Sequence, residues 1–89
     1  MKVGEVYIYD SCYSINIIKI REVYYDSYYK KASIKFDKLE LYLDDKIYYY
    51  CLSSIRIESL DSIGFKRKSK KDWYNAVRKY NKDYWRNLE

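Results

Sequence analysis

The sequence predicts an α+β fold: a curved antiparallel β-sheet or small β-barrel of five to six strands, followed by one C-terminal α-helix. Three observations lead there. Apolar and polar residues alternate with period two through most of residues 3–58. A helical apolar period takes over from Trp73. Gly64, one of two glycines in the chain, marks the change. The 89 residues read as a single domain, 1–89, with a sheet over 1–63, a basic connector over 64–71 and an amphipathic helix over 72–88. A domain this small leaves little room for a large cleft beside an intact core.

The first strand is expected where Val6 and Ile8 alternate with Glu5, Tyr7 and Tyr9, and Asp10-Ser11-Cys12-Tyr13-Ser14 interrupts it as a turn. Ile15–Tyr25 follows as a long β-branched segment. Its phase slips at Ile17-Ile18 and at Arg21-Glu22, as a bulged, curling strand would. Tyr24–Tyr29 then suggests a hairpin with Asp26-Ser27 at its tip and tyrosines paired across it.

A three-stranded meander is expected next. With Asp37-Lys38 as a two-residue turn, Phe36, Ile34 and Ala32 face Leu39, Leu41 and Leu43, while Lys35 meets Glu40 and Lys31 meets Asp44. With Asp44-Asp45-Lys46 as a second turn, Leu43, Leu41 and Leu39 face Ile47, Tyr49 and Cys51; Tyr42 then meets Tyr48, and Glu40 meets Tyr50. Cys51 would be a small buried hydrophobe. Ile55–Glu58 gives one more short strand. Beyond the connector, Ser69-x-x-Asp72 signals a helix start, and Trp73, Val77, Tyr80, Tyr84 and Leu88 form a stripe that would dock on the sheet.

The residue types that are missing narrow the chemistry. With no His, the usual general base, metal ligand and pH switch is absent. Two isolated cysteines form no CxxC pair, and two glycines cannot build a phosphate-binding loop. Asp44-Asp45 lacks the regularly spaced oxygen ligands of a calcium loop. Neither an enzyme nor a cofactor or metal site is expected. No apolar run is long enough to span a bilayer, and MKVGEVYIYD turns acidic before a signal-peptide core could form. The expected location is the cytoplasm, of a host cell if the protein is phage-encoded, with Cys12 and Cys51 reduced.

Charge is uneven. Residues 1–63 carry nine basic and ten acidic residues, a net of −1; residues 64–89 carry nine and three, a net of +6. Such asymmetry points to an anionic partner. Candidate binding residues are Lys66, Arg67, Lys68, Lys70 and Lys71 of the connector and Arg78, Lys79, Lys82 and Arg86 of the helix, with Tyr74 and Trp85 between the stripe and the basic ridge. Tyr42, Tyr48 and Tyr50 make a second candidate surface, exposed if the helix packs on the leucine side of the sheet. The tyrosine count carries less weight than position, because AT-rich coding sequences over-use Ile, Lys, Tyr and Asn.

Two functions follow. The first is a small non-enzymatic inhibitor or accessory factor docking its basic, aromatic-edged helix on a nucleic-acid-handling protein. In size and lack of motifs the chain is similar to small phage-encoded host-takeover and anti-defence proteins, including the anti-CRISPR class; the likeness transfers no residue, and many such inhibitors are acidic where this chain is basic. The alternative is direct, non-sequence-specific binding of RNA or single-stranded DNA, the helix neutralising phosphates and the tyrosines stacking on bases. A self-associating tyrosine face is a third arrangement. No membrane partner is expected.

Overall fold

The computed structural model describes the backbone of residues 1–88 and the side chains of residues 1–82. The chain runs β1 (Val6–Asp10), β2 (Ser14–Asp26), β3 (Lys31–Tyr42), β4 (Ile47–Arg56), α1 (Ile57–Ile63), β5 (Lys66–Lys68) and α2 (Lys70–Leu88). The strands form one five-stranded antiparallel sheet in the order β4-β3-β2-β1-β5. It does not close, since β4 and β5 are its two edges. The α+β reading holds: of the two expected forms the sheet is the open one, and there are two helices in place of one.

Each helix covers a different face. Trp73 and Ala76 of α2 pack on Val6, Ile17 and Leu39, with Ile8, Leu41, Ile47, Val77 and Tyr80 around them. Leu60 of α1 packs on Ile18, Ile20, Ile34 and Phe36 of the other face, with Tyr7, Ile55, Ile57 and Phe65 at the margin. The helices are offset along the strands, and the molecule is 47 Å long by 24 and 23 Å across.

This offset explains the slips of apolar phase. Ile17 and Ile18 are consecutive and both buried, but Ile17 meets α2 and Ile18 meets α1, and the β1–β2 register passes through them without a bulge. In β3 the buried apolar residues change from even (Ile34, Phe36) to odd (Leu39) for the same reason. The expected turn at Asp37-Lys38 is therefore absent, and β3 runs straight through it. A two-residue hairpin favours positive φ at its centre, and neither residue adopts it. The charge pairs that turn implied are replaced by Lys35 with Glu22 at 3.6 Å and Lys31 with Glu58 at 3.4 Å.

The second slip is a real bulge. Ile20 pairs with Phe36 and Glu22 with Lys35, so Arg21 is the extra residue in β2. A second bulge lies opposite: Phe36 pairs with Ser53 and Lys38 with Tyr50, leaving Cys51 and Leu52 against Asp37. Leu52 takes φ +50° there. Asp37, only 2% exposed, joins the two bulges. Its Oδ2 accepts from Arg21 Nη1 at 2.9 Å, and its Oδ1 accepts from the Leu52 backbone N–H at 3.1 Å.

Other expectations shift in detail. The chain turns through residues 43–46, so Leu41 pairs with Ile47, Leu39 with Tyr49 and Glu40 with Tyr48, two residues from the expected register, which keeps these side chains on their expected faces. Cys51 lies in the bulge and is exposed. The Tyr24–Tyr29 hairpin turns later, over residues 27–30, and sets Tyr25 against Ala32 and Tyr24 against Ser33. Asp26 stabilises that turn by accepting from the backbone N–H groups of Tyr28 and Tyr29.

Ile57 and Glu58 begin α1 instead of ending a strand. Ile57 and Leu60 stand one helical turn apart, and Gly64 closes the helix at φ +99° with its N–H on the Leu60 carbonyl. The 64–71 segment is no mere connector: Lys66–Lys68 pairs with β1, Val6 opposite Lys68 and Ile8 opposite Lys66. Ser69 then precedes α2, its N–H donating to Asp72 Oδ2 at 3.2 Å as half of a capping box. Tyr84 and Leu88 of the expected stripe lie outside the described side chains.

Candidate binding surfaces

Backbone alternation places Lys66 and Lys68, opposite Ile8 and Val6, on the face that α2 covers. Arg67 points the other way and pairs with Glu5 Oε2 at 2.6 Å. Glu5 also accepts the Lys2 backbone N–H at 2.6 Å. That bond first, and then the Arg67 charge against partial desolvation, hold its carboxyl below the usual carboxylate range.

Helix α2 begins immediately after β5. Because Trp73, Ala76, Val77 and Tyr80 turn inward, Lys71, Arg78, Lys79 and Lys82 project outward and are exposed. Lys70 is exposed as well, with its ammonium beside Gly4. Lys66, Lys68 and the outer ridge of α2 thus share one side of the molecule. Among the described residues, Arg67 with Glu5 is the one ion pair that residues 64–82 form. Tyr74 is exposed and lies under the Lys19 ammonium, whose Nζ is 5.6 Å from the ring centroid, so it flanks the sheet. Trp85 and Arg86 fall outside the described side chains.

The tyrosine surface lies on the opposite face. Because α2 packs on the side of Leu39 and Leu41, Tyr48 and Tyr50 remain 46% and 41% exposed and Tyr42 half-buried. Tyr42 and Tyr48 meet edge to face, with centroids 5.4 Å apart. Glu40 organises the group: Tyr42 Oη donates to Oε2 at 2.6 Å, Tyr50 Oη to the same oxygen at 3.4 Å, and Lys38 Nζ lies 3.4 Å from Oε1. Lys38 also sits 4.7 Å over the Tyr50 ring. Desolvation acts to raise the Glu40 pKa, but the Tyr42 hydrogen bond and the Lys38 charge prevail and lower it. The same hydrogen bond pushes the Tyr42 hydroxyl up to about 12.

Tyr49 was not among the candidate residues, yet it points to the α2 side and packs against Tyr80, centroids 5.8 Å apart. Arg21 and Asp37 were missed as well; the one signal for them was a charged residue in the middle of each alternating segment. Among the described residues, no three His, Cys, Asp or Glu side chains are grouped as a metal ion would require. No described helix is long and apolar enough to cross a membrane. No family model, curated protein or solved structure matches the chain.

Proposed function

We propose that the protein is a small non-enzymatic binding module, an inhibitor or accessory factor that docks its basic α2 side on an acidic surface of a nucleic-acid-handling protein. The observation that carries this reading is the separation of the two candidate surfaces. Lys66, Lys68 and the α2 ridge lie on one side of the sheet, and Tyr42, Tyr48 and Tyr50 on the other, around the Glu40 carboxylate. A single-strand binder works best with phosphate neutralisation and base stacking side by side along one groove. Here the aromatic platform is built on the Glu40–Lys38 ion pair and faces away from the cationic ridge. An acidic protein surface needs only the ridge, and charge complementarity would steer the encounter.

The test is a pull-down from the native host with and without nuclease, using the wild-type chain and a Lys66→Glu/Lys68→Glu/Arg78→Glu/Lys82→Glu variant. The expected result is a defined protein partner that survives nuclease, is lost with the variant and responds stoichiometrically. Loss of every partner on nuclease treatment, together with direct retention of a single-stranded RNA, would replace this reading with direct nucleic-acid binding. In that case log affinity should fall with log salt by about 0.7 per phosphate neutralised.

A further inference from the structure

Between α2 and the sheet, beside the two bulges, lies a cleft of about 330 Å³. Its walls are aromatic. Trp73, only 6% exposed, comes from the helix, and Tyr80 from the next turns; Tyr49 from β4 packs against Tyr80. Its polar groups are Lys19 and Arg21 of β2, Asp37 of β3 and the uncharged Asn81 of α2. Asp37 is buried and committed to the bulges, which anchors the Arg21 guanidinium through Nη1. The rest of that guanidinium is available, since the Arg21 side chain is 56% exposed. A guanidinium has five N–H donors in a rigid fork, so the donors that do not meet Asp37 can present a planar pair to a second acid group.

We propose that this cleft is a binding site for a small aromatic carboxylate, its ring against Trp73, Tyr49 and Tyr80 and its acid group on Arg21 and Lys19. Charge selects the class. Two cations and one carboxylate leave the lining with one net positive charge, which a monoanion neutralises and a phosphate dianion would exceed. Size selects the body. Ligand pockets run from about 300 to 1,000 Å³, and this one is at the lower end, enough for one ring or a fused pair. Burial of Asp37 holds Arg21 in place before the ligand arrives, so little ordering cost remains on binding. The site is independent of the basic α2 ridge, which points away from the sheet.

The test is an NMR titration of the full chain with 1-naphthaleneacetate and, separately, with its neutral analogue 2-(1-naphthyl)ethanol. The expected result is saturable movement of the Trp73 indole N–H and the Arg21 Nε–H with one dissociation constant, and affinity for the acid about tenfold or more above that for the alcohol. Arg21→Gln should remove that preference while leaving the alcohol's affinity in place; Lys19→Gln should reduce it, and serves alone if Arg21→Gln does not fold. Absence of saturable shifts at millimolar ligand, equal affinity for acid and alcohol, or shifts centred on Tyr42, Tyr48 and Tyr50 would overturn the proposal.

Discussion

Asp37 is the residue at which the irregularities of the sheet meet. Each bulge inserts one residue, and a single buried carboxylate answers both, through the Arg21 side chain on one neighbouring strand and the Leu52 backbone on the other. Asp37→Ala should leave the Leu52 N–H without its acceptor and release Arg21, lowering stability by about 2–4 kcal/mol in urea unfolding. Asp37→Asn, which keeps an acceptor oxygen, should lose clearly less. Tyrosine hydroxyls set a second behaviour at this scale. Tyr42, through its bond to Glu40, and Tyr49, chiefly through burial, are each raised from 10 to about 12. The folded state therefore holds these protons where the unfolded chain gives them up. Their stabilising contribution is complete below pH 10 and is lost as pH rises from 10 towards about 12. Thermal melts between pH 9 and 11.5 should fall more steeply for the wild type than for a Tyr42→Phe/Tyr49→Phe variant.

Among elements, α1 was the one hardest to see in the sequence. Ile55-Arg56-Ile57-Glu58 alternates as a strand does, and four residues cannot separate period two from a helical period. Only Leu60 and the Gly64 stop reveal the helix. The turn assigned to Asp37-Lys38 failed for a related reason: a change of buried face along β3 mimics a reversal of the chain. What was legible was anything fixed by local chemistry. The Arg21 bulge, the Ser69–Asp72 cap and the inward Trp73, Val77 and Tyr80 are all where the pattern put them. The β3–β4 register erred by two residues, and so the tyrosines still landed on their expected face. The separation of the basic and aromatic surfaces needed the sheet order, which no local pattern carries. Two variants probe the helices. At Gly64 an added Cβ would meet nothing within 4 Å, so Gly64→Ala isolates the cost of positive φ, about 1–2 kcal/mol in chemical denaturation. Trp73→Ala should cost about 3–5 kcal/mol by the same measurement and loosen α2 from the sheet.

At the scale of the whole molecule, the basic stretch is divided between the two sides of the sheet. Lys66 and Lys68 join the α2 ridge, and Arg67 is turned away and paired with Glu5. On the proposed docking function, reversing Lys66 and Lys68 should therefore weaken binding to the acidic partner more than reversing Arg67. The loss should fall mainly on the association rate, by about tenfold at low salt and less as salt rises, as interferometry against the recovered partner would show.

The pairing of β1 with β5 bears on the order in which the chain can fold as it is made. The contacts among β1, β2, β3 and β4 are between successive segments and can form as each emerges from the ribosome. The outer edge of β1 has no partner until Lys66–Lys68 has been synthesised, and Val6, Ile17 and Leu39 have no cover until α2 follows. Until both have joined, β1–β4 present an apolar sheet face and an open strand edge together. The segment that closes both is the lysine-rich one, and lysines along a sheet edge disfavour edge-to-edge pairing with other chains.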